Sequence, residues 1–174
     1  EAAIAAIDLR THRGAHPRIG AVDVVPFVPL RGLAMRECVE IAREFGRRYN
    51  RETGVPVYFY EDAATRPERR RLEDVRRGQF ESLLTQITSP DRAPDIGGPD
   101  VHPTAGATAV GARRFLVAFN VNLATRDLAV AKAVAKAVRA SSGGMAHVKA
   151  GAVDLADRAM VKVSMNLTDH EAAP

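Results

Sequence analysis

The sequence predicts an α/β (α+β) fold, with mixed β-sheets and helices on their outer faces. Three observations carry this. Short β-branched or aromatic runs alternate with amphipathic stretches of helical period along most of the 174 residues. Gly, Pro, Ser and Asp clusters punctuate the changes of period. Hydrophobic residues make up 46% of the chain and charged residues 26%, which is enough apolar surface for a packed core.

Ala2 to Leu9 is rich in Ala and Ile without alternation, and reads as the last turns of a helix whose start is absent. Thr11 to Gly20 (THRGAHPRIG) is a loop by composition, and Pro17 pushes His16 towards extended backbone. Ala21 to Leu30 (AVDVVPFVPL) has strand character. Its two prolines demand an edge strand, a bulge or an end at Pro26. Ala34 to Tyr49 is an amphipathic helix, with Met35, Val39, Ala42, Phe45 and Gly46 on one face and Gly54 just beyond as its stop. Val55 to Tyr60 is a second strand. Pro67 to Arg77 is a charged helix, followed by a short one at Phe80 to Gln86. Residues 88–106 hold four prolines and three glycines without periodicity. Loops of that length in a compact domain usually carry function.

Arg114 to Leu123 is a third strand and Asp127 to Arg139 a helix, broken by Ser141-Ser142-Gly143-Gly144. Met145 to Val153 and Ala159 to Leu167 are two further strands. In the last, Val161, Val163 and Met165 alternate with Lys162 and Ser164. A change of character near Arg113–Phe115 is the best internal boundary. It divides the chain into 1–114 and 115–174.

Composition removes several functional classes. No apolar run approaches the roughly 20 residues of a membrane-spanning helix. The single cysteine, Cys38, excludes a disulfide framework and a four-thiolate zinc site, and its place on the apolar side of a helix makes it a core residue. The net charge of +4 is mild. It suits anionic small molecules and does not by itself call for nucleic acid. All four Lys lie after residue 130, and every other basic residue is Arg. The five His are scattered, with no H-E-x-x-H, so no metal site is expected. There is no G-x-G-x-x-G, no phosphate-binding P-loop and no G-x-S-x-G elbow.

Two segments concentrate chemistry. The first is Gly14 to Asp23, where His16, Arg18 and Asp23 fall in a Gly-flanked loop leading into a strand. An imidazole titrates near neutrality and can take and return a proton. Arg18 suits a substrate carboxylate, because a guanidinium matches it bidentately. Asp23 suits a supporting role, orienting the His or pairing with Arg18. The plain alternative is a solvated turn. The second is Asp95 to Gly106, whose glycines permit close backbone approach by a ligand; the alternative is a connector between two halves. The run Arg66–Arg77 carries six Arg against three acids and reads as a solvated face, with anion binding as the minority reading.

The string HPRIGAVDVVPFVPLRG resembles the glutamate formiminotransferase family, and the likeness continues in register through ECVEIAREFGRR, VPVYFYEDAA, RRRLEDVRRGQFESL, APDIGGPDVHPTAGATAVGARRFLVAFNVNL and VSMNLTDHEAAP. The resemblance implies a two-subdomain formiminotransferase-like fold, truncated here at both ends. Residues 1–114 would be the N-terminal subdomain without its start, and 115–174 the first part of the C-terminal one. It implies transfer of the formimino group from N-formimino-L-glutamate to N5 of tetrahydrofolate, a step of histidine degradation and one-carbon metabolism. Tetrahydrofolate would serve as co-substrate, without a metal. Formyl transfer, handling of 5-formyltetrahydrofolate and non-catalytic folate binding stay open as alternatives.

By the same resemblance His16, in the H-P-R motif, is the catalytic residue. It would remove the N5 proton as the folate nitrogen attacks the amidine carbon, then protonate the departing glutamate nitrogen. The folate-contacting segment would be Gly97, Gly98, Pro99, Asp100, Val101, His102, Pro103, Thr104, Ala105 and Gly106. Ala105 stands where some members carry an aromatic. Arg18 and Asp23 are the substrate-side candidates. The expected partners are folate and N-formimino-L-glutamate, with no nucleic acid and no membrane, and with room for a homodimer. The expected location is cytoplasmic. The isolated chain is expected to be unstable or inactive, since a cut sheet exposes edges and apolar faces.

Overall fold

The computed structural model describes residues 1–14 and 16–172. Ala15, within the His16 loop, and Ala173 and Pro174, at the end of the last family-like block, lie outside the described residues. The chain divides into two compact units, Glu1–Arg113 and Arg114–Pro174.

The first unit is built on a three-stranded parallel sheet. Its strands β1 (Val24–Phe27), β2 (Val57–Glu61) and β3 (Thr108–Ala112) lie in the order β1-β3-β2. Both faces are covered, as a parallel sheet requires. A short helix α1 (Ala2–Ala6) opens the chain, and the long helix α2 (Met35–Thr53) lies on one face of the sheet. There Cys38 and Ala42 meet Val57, Phe59, Val110 and Ala112, and Gly46 makes room for the Phe59 ring, which would stand 2.8 Å from a Cβ at that position. Gly54 stops α2 in the left-handed conformation at φ 70°. On the opposite face Tyr58, Tyr60 and Ala109 pack with Val75, Leu83 and Ile19. Val75 belongs to the helical turn α3 (Leu72–Val75) and Leu83 to α4 (Gln79–Gln86).

Three expectations change here. The central strand β3 was not anticipated. Its residues TAVGA are all buried and all small, because Tyr60 occupies the space beside Gly111. The charged helix at Pro67–Arg77 is instead a 3₁₀ turn (Pro67–Arg69) and the single turn α3, separated by extended backbone at Arg71. Helix propensity yields there to a tertiary demand, because Arg69 is drawn inward to Asp95. The third expected strand, Arg114–Leu123, begins only at Val117. Pro26 is accommodated as expected, since β1 pairs only with β3 among the described residues, and Pro29 falls beyond the strand's end.

The second unit is a three-stranded antiparallel sheet with one helix. β4 (Val117–Leu123), β5 (Val148–Leu155) and β6 (Met160–Leu167) lie in the order β4-β6-β5. Helix α5 (Leu128–Val138) starts at Asp127, whose carboxylate accepts the Ala129 N–H at 2.8 Å. Ala131 and Ala135 seat it closely over Val161 and Val163. The helix covers β5 and β6. Val117, Phe119 and Val121 of β4 face the same side through their register with β6, and are exposed. No helix of the described residues is long and apolar enough to cross a membrane.

All three tyrosines of the chain, Tyr49, Tyr58 and Tyr60, are held above the ordinary phenol value by burial, Tyr58 to about 12. The folded state therefore keeps protons that the unfolded chain releases near about pH 10. Their contribution to stability is complete below that pH and is lost as pH rises above it, for Tyr58 as pH approaches about 12. Tyrosinate absorbance of the 174-residue chain should lag that of the chain in denaturant. Coincident titrations would show the rings to be open to water.

Candidate active site

The His16 loop is buried at its base, and its described residues further out are exposed. His12, Arg13, Gly14, His16 and Pro17 are exposed, whereas Arg18, Ile19 and Gly20 are buried. Arg18 was expected at a substrate carboxylate and here grips a protein one. Its Nη2 donates to Glu81 Oε1 at 2.7 Å and its Nη1 to Glu81 Oε2 at 3.0 Å. Nη1 also donates to Gln79 Oε1 at 3.1 Å, and Nη2 to the His12 carbonyl at 3.2 Å. The backbone follows, because the Phe80 N–H donates to the Arg18 carbonyl at 2.9 Å. The guanidinium holds the Glu81 carboxyl well below its usual range, at about 2.

Asp23 does not pair with Arg18. Its Oδ1 accepts the Ile19 N–H at 2.7 Å, and its Oδ2 is held by Arg76. The loop is thus tied down at Arg18, Ile19 and Asp23 by residues of the segment Arg76–Glu81 and by its own backbone.

The glycine segment meets this loop backbone to backbone. The Ala107 N–H donates to the Ile19 carbonyl at 2.8 Å, and the Ala21 N–H to the Ala105 carbonyl at 2.9 Å. Gly20 and Gly106 face each other across this short antiparallel bridge. A Cβ on Gly20 would stand 1.9 Å from the Ala107 carbonyl oxygen, and one on Gly106 would stand 2.1 Å from that of Ile19. The expected closeness is therefore between two parts of the chain at these positions. Ala105, 1% exposed, and Gly106 are buried in this contact and present no surface to a ligand.

The rest of the segment divides. Gly97, Gly98, Pro99, Asp100 and Pro103 are exposed; Val101, His102 and Thr104 are half-buried. Val101 packs on the core. His102 works within the segment, its Nδ1 accepting the Ala105 N–H at 3.0 Å while its N–H and carbonyl bond those of Gly106. Gly106→Ala should cost about 1–3 kcal/mol through overpacking, and more through its left-handed φ of 70°. Denaturant unfolding should show a lowered midpoint at unchanged slope. An unshifted midpoint would mean that the two backbones can part without cost.

Asp95, at the head of the second segment, is anchored by partners that sequence reasoning did not assign to it. Asp95 Oδ2 accepts the Phe59 N–H at 2.7 Å and Arg69 Nη1 at 2.6 Å, both side chains of the ion pair being 5% exposed. The Thr65 hydroxyl holds Oδ1, and the Arg69 guanidinium lies 5.1 Å from the centre of the Tyr58 ring. No local signal marks Arg69, which sits in a charged run that reads as solvated, or Glu81, the one charged residue of the short stretch Phe80–Gln86. Much of the Arg66–Arg77 run is in fact paired within the protein. Arg76 bonds Asp23, Arg77 bonds Asp74, Arg71 bonds Glu73, and Arg66 donates to the Pro90 carbonyl.

A cavity of about 410 Å³ lies between Tyr58, Arg69, Ser82 and Arg92. It includes none of the residues singled out as catalytic, substrate-side or folate-contacting. Among the described residues, no three of His, Cys, Asp and Glu come together as a set of metal ligands.

A family model described as the formiminotransferase domain, N-terminal subdomain, matches residues 1–113. A glutamate formimidoyltransferase of Streptococcus pyogenes serotype M1 is 52% identical over 165 residues, covering 95% of this chain and 55% of the relative. One of Thermoplasma acidophilum is 47% identical over 176 residues, covering 100% and 58%. A formimidoyltransferase-cyclodeaminase of Gallus gallus is 42% identical over 173 residues, covering 97% and 32%. The chain thus spans a little over half the length of the first two relatives.

Proposed function

This chain belongs to the formiminotransferase family, and from that membership we propose that its parent protein transfers a formimino group from N-formimino-L-glutamate to N5 of tetrahydrofolate. The observation that carries the reading is the interlock of the two segments. Two stretches more than seventy residues apart in sequence are bonded backbone to backbone, with His16 and Pro17 exposed on one and Gly97–Asp100 and Pro103 on the other. A buried base with an exposed tip is what a transferase loop needs, because the reacting side chain must be reachable while its backbone stays put.

In this reading His16 is the proton shuttle. It accepts the proton released as the acceptor nitrogen bonds to the amidine carbon, and returns it to the glutamate nitrogen as that bond breaks. Tetrahydrofolate, bound as co-substrate, supplies the acceptor nitrogen. The exposed stretch Gly97–Asp100 fits a folate: it has left-handed backbone at Gly97 and Gly98 and a carboxylate at Asp100 able to accept hydrogen bonds. Ala105 and Gly106 do not fit it, being buried. Arg18 and Asp23 act here on the loop rather than on the substrate. We also place residues 115–174 in the second subdomain of the family domain, and the reaction in histidine degradation in the cytoplasm.

The test is an assay on the complete parent protein with tetrahydrofolate and N-formimino-L-glutamate, following 5-formiminotetrahydrofolate. Turnover with the formimino donor and none with a formyl donor is expected. The reverse preference would move the protein to formyl transfer, and folate binding without turnover on either donor would make it a binding protein.

A further inference from the structure

We propose that Glu81 is a positioning residue for His16, acting through Arg18 on the loop that carries the imidazole. The inference rests on His16 being the proton shuttle. Arg18 closes an arc: its Nη2 holds the carbonyl of His12, so the stretch from His12 to Arg18, with His16 inside, begins and ends on one guanidinium. That guanidinium is placed from outside the loop. Glu81, the third residue of α4 and part of its first turn, takes both of its terminal nitrogens, at 2.7 and 3.0 Å.

An exposed ion pair would be worth little. Here one partner is inside: the Arg18 side chain is 11% exposed against 56% for Glu81. The two parallel N–H···O bonds fix direction as well as distance. Without Glu81, Arg18 would keep only the neutral oxygens of Gln79 and His12. A buried guanidinium short of its counter-charge moves towards water. Moving outward, it would carry the carbonyl of His12 and the arc with it. The backbone at the same point is held in an unusual state, with Gln79 in the left-handed region at φ 57° directly after Gly78 at 75°. Such conformations persist only where the surroundings enforce them.

The experiment measures kcat and KM of the complete parent protein for Glu81→Ala, Glu81→Gln, His16→Ala and the Glu81→Ala/His16→Ala double variant. Glu81→Ala should lose about 10-fold in kcat, with both KM values within about 2-fold, because the reacting group is displaced while substrate binding is kept. Glu81→Gln, which keeps one acceptor oxygen, should fall between it and the parent, and it decides the question if the alanine variant does not fold. In the His16→Ala background, removing Glu81 should cost nothing further, since nothing remains to be positioned. An unchanged kcat in the folded Glu81 variants, or the same loss with and without His16, overturns the role of Glu81 alone. Full activity of His16→Ala overturns the shuttle and this inference together.

Discussion

Replacing His16 by Ala in the complete parent protein is expected to lower kcat by about 10²–10⁴-fold, the usual worth of a positioned acid/base. Stability should be untouched. His16 is exposed, and the bonds that fasten its loop belong to Arg18, Ile19, Ala21 and Asp23. Folate binding should persist for the same reason. The decisive comparison is a single-turnover rate set beside an unfolding midpoint. A His16→Ala protein with an unchanged midpoint and more than half the parental rate would take the proton transfer away from this residue. A large fall in both would show instead that the loop tip is part of the fold.

Asp95→Ala is expected to destabilise the first unit by about 3–5 kcal/mol, the cost of leaving one half of a buried ion pair. The carboxylate accepts from Arg69, from the Thr65 hydroxyl and from the Phe59 N–H in mid-strand β2, so its loss strips three donors at once. Arg69 would then stand 95% buried, with the Ala93 carbonyl as its remaining polar partner. Asp95→Asn should cost less, because it keeps one oxygen. The full effect belongs in a denaturant-unfolding midpoint, and a loss below about 1 kcal/mol would place the pair among ordinary surface contacts. The glycine segment begins one residue beyond Ile96, which bonds Val57 in both directions. Loss of Asp95 should therefore also loosen Gly97–Asp100.

The α/β class was legible because period and composition agree over long stretches. Helix α2, its Gly54 stop and the alternation of β6 follow from local pattern alone. Strand β3 was hidden because a central strand buried on both faces need not alternate, and Thr-Ala-Val-Gly-Ala lacks the bulky residues that mark a strand. Its smallness answers Tyr60, which sequence proximity does not reveal. The stretch Pro67–Arg77 departs from the helix its pattern predicts for the converse reason, since good local propensity loses to Arg69 and Asp95 meeting across twenty-six residues. In the candidate site, the His16 loop and the glycine segment each stood out as strings. Their joining did not, because it depends on backbone register between distant segments. Arg18 was typed by the right chemistry, a guanidinium seeking a carboxylate. The carboxylate it found is sixty-three residues further along the same chain.

The facing glycines, Gly20 and Gly106, have a consequence for anyone reshaping this protein. A methyl group on Gly20 would meet the Ala107 carbonyl and one on Gly106 the Ile19 carbonyl, so neither position tolerates it while the facing backbone keeps its place. A substitution library directed at the two motifs would therefore waste its diversity at their shared floor. Variation belongs at Arg13, Pro17, Pro99 and Asp100, which are exposed and flank the shuttle and the glycines without replacing them. The interlock works as a fixed chassis with two exchangeable tips, and new acceptor or donor preferences should be sought by grafting at the tips, in pairs.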